Sequence, residues 1–125
     1  MFAVIRRYNV HEGMTRRMLQ RVNADFAPLM SRIRGLVAYY AIDGGDNTVA
    51  TVSVFTDRYG AEESNRVAAD WVAKNIARMV RTAPVIVMGE VGASATPADP
   101  RSASAAAPLA DVARPDAALG QTTTP

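Results

Sequence analysis

Hydrophobic and polar residues follow different periods along the first 92 residues. The segment FAVIRRY, residues 2–8, is rich in β-forming residues and predicts a strand. From His11 to about Ile33, apolar residues recur every three or four positions, which is typical of a helix that buries one stripe. Pro28 falls inside this segment, so we expect the helix to kink or end near Phe26 and to resume as a short turn.

The next two apolar runs predict a β-hairpin. LVAYYAID, residues 36–43, and NTVATVSVF, residues 47–55, are both strand-like. Between them, Gly44, Gly45 and Asp46 can supply the positive φ that a tight turn requires. The two strands should therefore pair antiparallel.

A second helix and a last strand complete the pattern. Helical periodicity runs from about Asp57 to Val80, and Asp57 is a residue type that favours the N-cap. Pro84 ends this segment, and VIVMGEV, residues 85–91, predicts a strand. The order β-α-β-β-α-β is that of the ferredoxin-like α+β fold, in which both helices cover one face of a four-stranded sheet.

The other face of such a sheet needs a cover, and the strand at 47–55 indicates which kind. Its alternating positions give two sets of side chains, and neither set is charged. A sheet that is weakly polar to apolar on both sides is expected to be covered on both sides. For a domain this small, a second copy of the same sheet is the simplest cover. We therefore predict a homodimer through the sheet faces.

The composition changes after Val91. The remaining sequence is rich in Ala, Pro, Ser and Thr and contains no aromatic residue. Such a segment cannot bury enough apolar surface to offset the entropy lost on ordering. We predict one folded domain at residues 1–92 and a disordered tail at residues 93–125, with a short transient helix near Leu109 to Val112 as the only exception.

Charge and composition narrow the possible functions. The chain has 125 residues, a formal net charge of +2 and no cysteine, so disulfides, thiolate metal sites and cysteine nucleophiles are excluded. Arginines concentrate in the first third, but no basic run with interleaved aromatics accompanies them, so we expect no nucleic-acid partner. No apolar stretch approaches the ~20 residues that span a bilayer, so we expect no membrane partner and a cytoplasmic location.

Several segments together resemble a known family. They are RRYNV at the end of the first strand, RIRGLVAYYAID, the hairpin, and above all SVFTDRYGAEESNRVAADWV before a proline-preceded last strand. This pattern is similar to the dimeric α/β-barrel superfamily, specifically its antibiotic biosynthesis monooxygenase-like (ABM-like) branch. Stress-responsive and EthD-like branches share much of it. The resemblance covers about residues 1–92, and it implies a homodimer with facing sheets and a pocket in each subunit between sheet and helices.

The resemblance also implies a chemistry. Several ABM-like proteins oxidise polycyclic aromatic substrates with O2 and without metal or flavin, using Asn, Trp and Tyr side chains to hold the substrate and stabilise its anion. Related members bind haem through a histidine on the second helix, but that helix has no histidine here. We therefore expect no cofactor. A metal site is not expected either, because no second ligand lies at suitable spacing from His11, the only histidine.

Asn65 is the first candidate site residue. At about 100° per residue, it lies near the middle of the predicted buried arc of the second helix, which includes Val72, while Ser64 and Trp71 lie at the border. A buried carboxamide must find partners. Asn65 either bonds to neighbouring backbone or water, or lines a cavity and donates to a substrate oxygen. For Trp71 the alternatives are packing and pocket lining.

Two adjacent tyrosines and the histidine are further candidates. Tyr39 and Tyr40 must point to opposite faces of the sheet, so only one can contact a pocket under the helices, and the sequence leaves open which one. His11 could act as a base near neutral pH, or it could simply bond to backbone at the entry to the first helix.

Arg6 and Arg7 pose the same question on the first strand. Because they alternate, one of them must point inward or toward the dimer partner. A buried guanidinium needs compensation, and we expect Glu90 on the last strand to supply a carboxylate.

These observations give two functional hypotheses. The first is a cofactor-independent monooxygenase-like enzyme that binds a small aromatic or quinol-type molecule between sheet and helices. In this hypothesis Asn65, Trp71 and His11 are catalytic, and Tyr39, Tyr40, Ser64 and Val72 contact the substrate. The alternative is a non-catalytic barrel protein that binds a ligand or only dimerises.

Overall fold

A computed structural model describes residues 1–98, and residues Met1–Gly92 form one compact unit. The predicted order β-α-β-β-α-β is confirmed. The strands are β1 (Phe2–Asn9), β2 (Leu36–Gly45), β3 (Thr48–Phe55) and β4 (Val85–Glu90). Residues 93–98 form no helix or strand, and the rest of the predicted tail, including the transient helix near residues 109–112, lies outside the described residues.

The four strands form one antiparallel sheet in the order β2-β3-β1-β4. The two central strands, β1 and β3, pair in full register from Phe2 opposite Phe55 to Asn9 opposite Thr48. Side chains on β1 and β3 alternate between a buried face and a more exposed face. The helices cover the buried face, as the ferredoxin-like fold requires.

The first helical segment lies between β1 and β2. It consists of α1 (Thr15–Arg21), a π-helical turn (Val22–Phe26) and α2 (Ala27–Met30). Pro28 has no N–H and its ring crowds the carbonyl of residue 24, so an uninterrupted α-helix cannot pass through this point. The predicted break near Phe26 is confirmed, and it takes the form of a widened turn.

The second long helix, α3 (Arg58–Asn75), begins where the sequence predicted. Asp57 is its N-cap, and the carboxylate accepts a hydrogen bond from the backbone N–H of Gly60 at 3.2 Å. The predicted end at Val80 is wrong. Ile76 leaves the helical conformation and is itself buried, and a short 3₁₀ turn, Ala77–Met79, follows.

The β2–β3 hairpin turns later than predicted. Asp46 and Asn47 occupy its tip, with φ of 50° and 59°. Gly45 also has a positive φ, but Gly44 does not, so Gly44 lies in the strand. The pairing register shifts between Asp43 and Gly45, so that β2 has one residue more than β3 at this point. Asparagine and aspartate tolerate this left-handed region better than other non-glycine residues.

Within residues 1–98, α3 and the other helices are too short or too polar to meet the length and hydropathy expected of a membrane span.

Candidate ligand-binding site

Arg6 is the inward-facing arginine of β1, and it is only 2% exposed. Arg7, the next residue, is exposed on the opposite face. One guanidinium nitrogen of Arg6, Nη2, donates to Ser64 Oγ at 3.1 Å and to Asn65 Oδ1 at 2.6 Å, so α3 holds this side chain.

The predicted carboxylate partner of Arg6 is wrong. Arg6 pairs across the sheet with Ile86, whereas Glu90 is exposed four residues further along β4, opposite Phe2. Among residues 1–98, no carboxylate forms an ion pair with Arg6. In this part of the chain, the Arg6 guanidinium donates hydrogen bonds only to the neutral oxygens of Ser64 and Asn65.

Burial governs the ionisation of this site. Loss of hydration lowers the pKa of Arg6, although nearby Tyr8 and Tyr39 oppose the shift. The pKa of Tyr39 is raised, first by burial and then by Tyr8, with Arg6 acting in the opposite direction. Burial likewise raises the pKa of Tyr8. Tyr39 is therefore a neutral phenol that can donate a hydrogen bond at physiological pH.

The buried stripe of α3 is rotated relative to our prediction. Ser64 and Trp71, which we predicted at its border, are buried, whereas Asn65, predicted at its middle, is half-buried. Ala69, four residues after Asn65, is exposed. A helical side chain covers surface N-terminal to its own Cα, and Trp71 gains the most from burial, so the helix turns that ring toward the core.

Asn65 lies at the edge of this stripe and bridges two elements. Its Oδ1 accepts from Arg6, and its Nδ2 donates to the sulfur of Met88 on β4 at 3.2 Å. The guanidinium can only donate, so the carboxamide oxygen must face it and the NH2 must face the sulfur. A thioether is a weak acceptor, so this NH2 group can exchange it for a stronger one.

Three aromatic rings from different elements pack together under the helices. Phe26 of the π-helical turn lies between the other two, with ring centroids 5.1 Å from Trp71 and 5.7 Å from Tyr39. The Tyr39 contact is edge-to-face, a favourable geometry for aromatic pairs. Tyr39 is thus the inward tyrosine of β2.

Two spaces adjoin these residues. An internal cavity leaves about 10 Å³ for the centre of a water molecule, which is roughly room for one water. A larger groove of about 220 Å³ by the same measure runs between α3 and β4. The cavity wall includes Phe26, Trp71, Tyr39, Thr51 and Arg6. The groove wall includes Asn65, Ala68, Ala69, Ala73, Pro84 and Ile86. Both walls include Arg6, Tyr8 and Val72.

Four of the seven predicted site residues, Asn65, Trp71, Tyr39 and Val72, line these spaces, and Tyr40, His11 and Ser64 do not. Tyr40 is 64% exposed on the other face of the sheet. His11 is exposed in the turn before α1, where its backbone N–H donates to the carbonyl of Met79, and its side chain lines neither space. Ser64 contacts the site through Arg6.

Sequence reasoning missed the roles of Arg6, Tyr8, Thr51 and Phe26. The alternation of β1 and β3 already placed a polar residue of each strand on one face, and the register Arg6 opposite Thr51 brings them together. The sequence alone does not show which residues of β1 and β3 lie opposite each other. Phe26 belongs to the predicted apolar stripe and is buried, but its place in the cavity wall could not be predicted, because a π-helical turn changes which side of a helix a residue faces.

No protein-family model matches the chain, and no curated protein matches it. Solved structures do. A protein of unknown function from Nitrosomonas europaea superposes with a TM-score of 0.65 at 24% identity, over 78% of this chain and 95% of that one. A putative antibiotic biosynthesis monooxygenase from the same organism gives 0.62 at 13% identity, over 74% and 100%. SnoaB, a cofactor-independent oxygenase from Streptomyces nogalater, gives 0.58 at 17% identity, over 78% and 97%.

This chain has the ferredoxin-like fold that these ABM-like structures share. The resemblance that we drew from the sequence is confirmed at the level of the fold. The ABM-like fold is also that of structures described as NIPSNAP-like domains, such as one from Burkholderia xenovorans with a TM-score of 0.57. Because enzymes and proteins of unknown function share it, function must come from the site.

Proposed function

We propose that this protein is a cofactor-independent monooxygenase-like enzyme that acts on a small aromatic or quinol-type molecule bound between sheet and helices. For an anthrone-type substrate, the overall reaction converts a ring CH2 group and O2 into a ketone and water. One oxygen atom becomes the carbonyl oxygen, and the other leaves as water with the two hydrogens. The four electrons that reduce O2 come from the two broken C–H bonds.

The observation that supports this proposal is the orientation of Asn65. Its NH2 group lies beside an apolar groove of about 220 Å³ and has only a sulfur as acceptor. A substrate oxygen in the groove would be a stronger acceptor than Met88. An amide donor held in place stabilises an oxygen on which negative charge develops, and Arg6 holds this amide through its Oδ1.

The apolar walls support an aromatic ligand. Small alanines on α3 leave the groove open, and Pro84 and Ile86 provide its other side. Trp71 and Phe26 contact the neighbouring cavity through their rings, so aromatic surface lies next to the polar groups of the site. In this proposal Val72 lines both spaces, and His11 has no role.

Oxygen uptake tests the proposal. With a panel of anthrone- and quinol-type substrates, the full-length protein should consume O2. Asn65→Ala should lower kcat by about 10²- to 10³-fold, as removal of one oxyanion donor does elsewhere. Trp71→Phe should have a smaller effect, because a ring is retained.

Asn75→Ala is the matched control. Asn75 is also on α3, but its amide bonds to the Trp71 carbonyl and to Arg21, away from the groove. Its rate should equal that of wild type. A folded wild type that turns over no substrate would contradict the enzyme hypothesis. Equal rates for the Asn65 and Asn75 variants would contradict the site assignment.

A non-catalytic ligand-binding or structural protein is the second candidate function. The internal cavity, which has room for about one water, and the bonds that Arg6 forms with Ser64 and Asn65 favour it, since a well-packed site needs no reaction to explain it. Ligand binding without oxygen uptake would select this candidate.

We also infer a homodimer through the uncovered face of the sheet. Tyr40, Val52, Ile5 and Val87 are paired across all four strands in one row on that face. Such a surface is self-complementary for a two-fold axis, because apolar residues of one copy meet those of the other. A second copy of this chain is therefore the occupant that we propose.

A further inference from the structure

Arg6 carries a charge that no carboxylate among residues 1–98 neutralises. The side chain is buried, and its partners Ser64 and Asn65 are neutral. A buried charge is costly unless an opposite charge accompanies it. Residues 1–98 supply no such partner, so an external anion is the natural complement.

Within the described residues 1–98, three polar atoms around the internal cavity have no hydrogen-bond partner. They are Nη1 of Arg6, the hydroxyl of Tyr39 and Oγ1 of Thr51, and all three are buried. Their side chains all line the same cavity. Buried polar groups without partners are uncommon in folded proteins and call for a specific explanation.

The sheet register brings these groups together. Arg6 and Thr51 are direct cross-strand partners on β1 and β3, so their Cβ atoms are about 5 Å apart. Thr51 pairs with Ala41 of β2, which makes Tyr39 its diagonal neighbour on the same face. Each group can donate a hydrogen bond, and one is positively charged.

We propose that Arg6, Tyr39 and Thr51 bind the anionic oxygen of an organic monoanion whose apolar body lies in the groove beside α3. The cavity has room for about one oxygen atom, and the groove, which shares Arg6 with it, has room for an aromatic or aliphatic body. Carboxylates and phenolates both present such an oxygen. This inference rests on the pocket of the proposed function but requires no oxidation.

Calorimetric titration of the full-length protein under nitrogen tests it. The probes are 2-naphthoate, 2-naphthol above and below its pKa, the neutral 2-naphthamide, and sodium chloride. Naphthoate or naphtholate should bind at least about tenfold more tightly than the amide, because hydrogen bonds to a charged group are the stronger ones. The tighter of the two anions identifies the source of the oxygen.

Variants locate the site. Arg6→Met should weaken anion binding by at least about tenfold more than it weakens amide binding. Arg7→Met is the matched control, since Arg7 is the adjacent arginine on the opposite face, and it should bind like wild type. Tyr39→Phe should cause a smaller loss, since it removes one neutral donor.

Several outcomes would overturn the inference. They are equal affinity for anion and amide, equal losses in both arginine variants, binding of chloride alone, or no binding of any probe at millimolar concentration. Anion binding without oxygen uptake would leave this inference intact and remove the monooxygenase hypothesis. Oxygen uptake with a substrate that binds equally to wild type and Arg6→Met would do the reverse.

Discussion

Each face of the sheet departs at its centre from the usual rule of apolar inside and polar outside. The buried face carries Arg6, Thr51 and Ser53 among apolar core residues such as Val4 and Phe55. The uncovered face carries exposed Ile5 and Tyr40, with Arg7 beside them. Polar groups are thus buried, and apolar groups are exposed, in the same four strands.

The difference between the two faces indicates a separate function for each. A core with a buried guanidinium and hydroxyls without partners is less stable than an apolar core of the same shape, so such residues indicate a site rather than packing. Exposed apolar residues that are contiguous across strands indicate an interface. Predictions that exchange polar and apolar character on each face test this interpretation directly.

The largest effect is expected on the uncovered face. Tyr40→Glu should place two carboxylates in the proposed dimer interface and weaken association by several kcal/mol, on the order of 100-fold or more. Sedimentation of the full-length protein at micromolar concentration should show a wild-type dimer and a variant monomer.

Tyr59 provides the matched control for Tyr40. It is 72% exposed, against 64% for Tyr40, but it lies on α3 rather than on the sheet. Tyr59→Glu should therefore remain dimeric. A monomeric wild type, or the same mass for both variants, would show that the uncovered face is not the interface.

An effect of opposite sign is expected on the buried face. Arg6→Met should raise the free energy of unfolding by about 1 to 3 kcal/mol, because it removes a buried charge without leaving a partner charge behind. Ser64 keeps its bond to the Ala61 carbonyl, and Asn65 is only half-buried, so neither is left without hydrogen bonds. Urea unfolding at fixed protein concentration measures the change. A loss of stability would mean that Arg6 holds the fold together.

The smallest effect concerns Tyr39 and depends on pH. Burial raises its pKa above the ordinary 10.0, so the folded state retains a proton that the unfolded state loses. The contribution of the Tyr39 phenol to the free energy of unfolding is fully present below about pH 10. It falls as the pH rises toward the pKa of the folded state. Between pH 8 and pH 11, Tyr39→Phe should therefore lose about 1 kcal/mol less unfolding free energy than wild type.

Tyr59→Phe is the control for this pH dependence. The Tyr59 ring is exposed on α3, outside the proposed dimer interface, so the unfolding free energy of this variant should follow the wild-type curve. If the Tyr39 and Tyr59 variants have the same pH dependence, the phenol of Tyr39 is not buried as a neutral donor.

The sequence predicted the strands, the N-cap at Asp57 and the break near Phe26, because each depends on local periodicity or on one residue's backbone chemistry. It could not predict which face of α3 is buried. That depends on Trp71 packing against Phe26, a contact between distant elements. The partner of Arg6 was beyond prediction for the same reason, since the pairing register of β1 with β4 places Glu90 too far along the strand.

The π-helical turn makes the shape of the cavity wall depend on the number of residues between Val22 and Phe26. A π-turn contains about one residue more than an α-turn, so every side chain on its N-terminal side is turned by about 100° relative to Phe26 and the proline that follows. Loss of one residue between Val22 and Phe26 would leave a regular α-helix and keep the present angle between Met18 and Phe26, which both line the cavity. Loss of a second residue would turn Met18 by about 100° relative to Phe26. The cavity wall should therefore tolerate one deletion in this segment but not two.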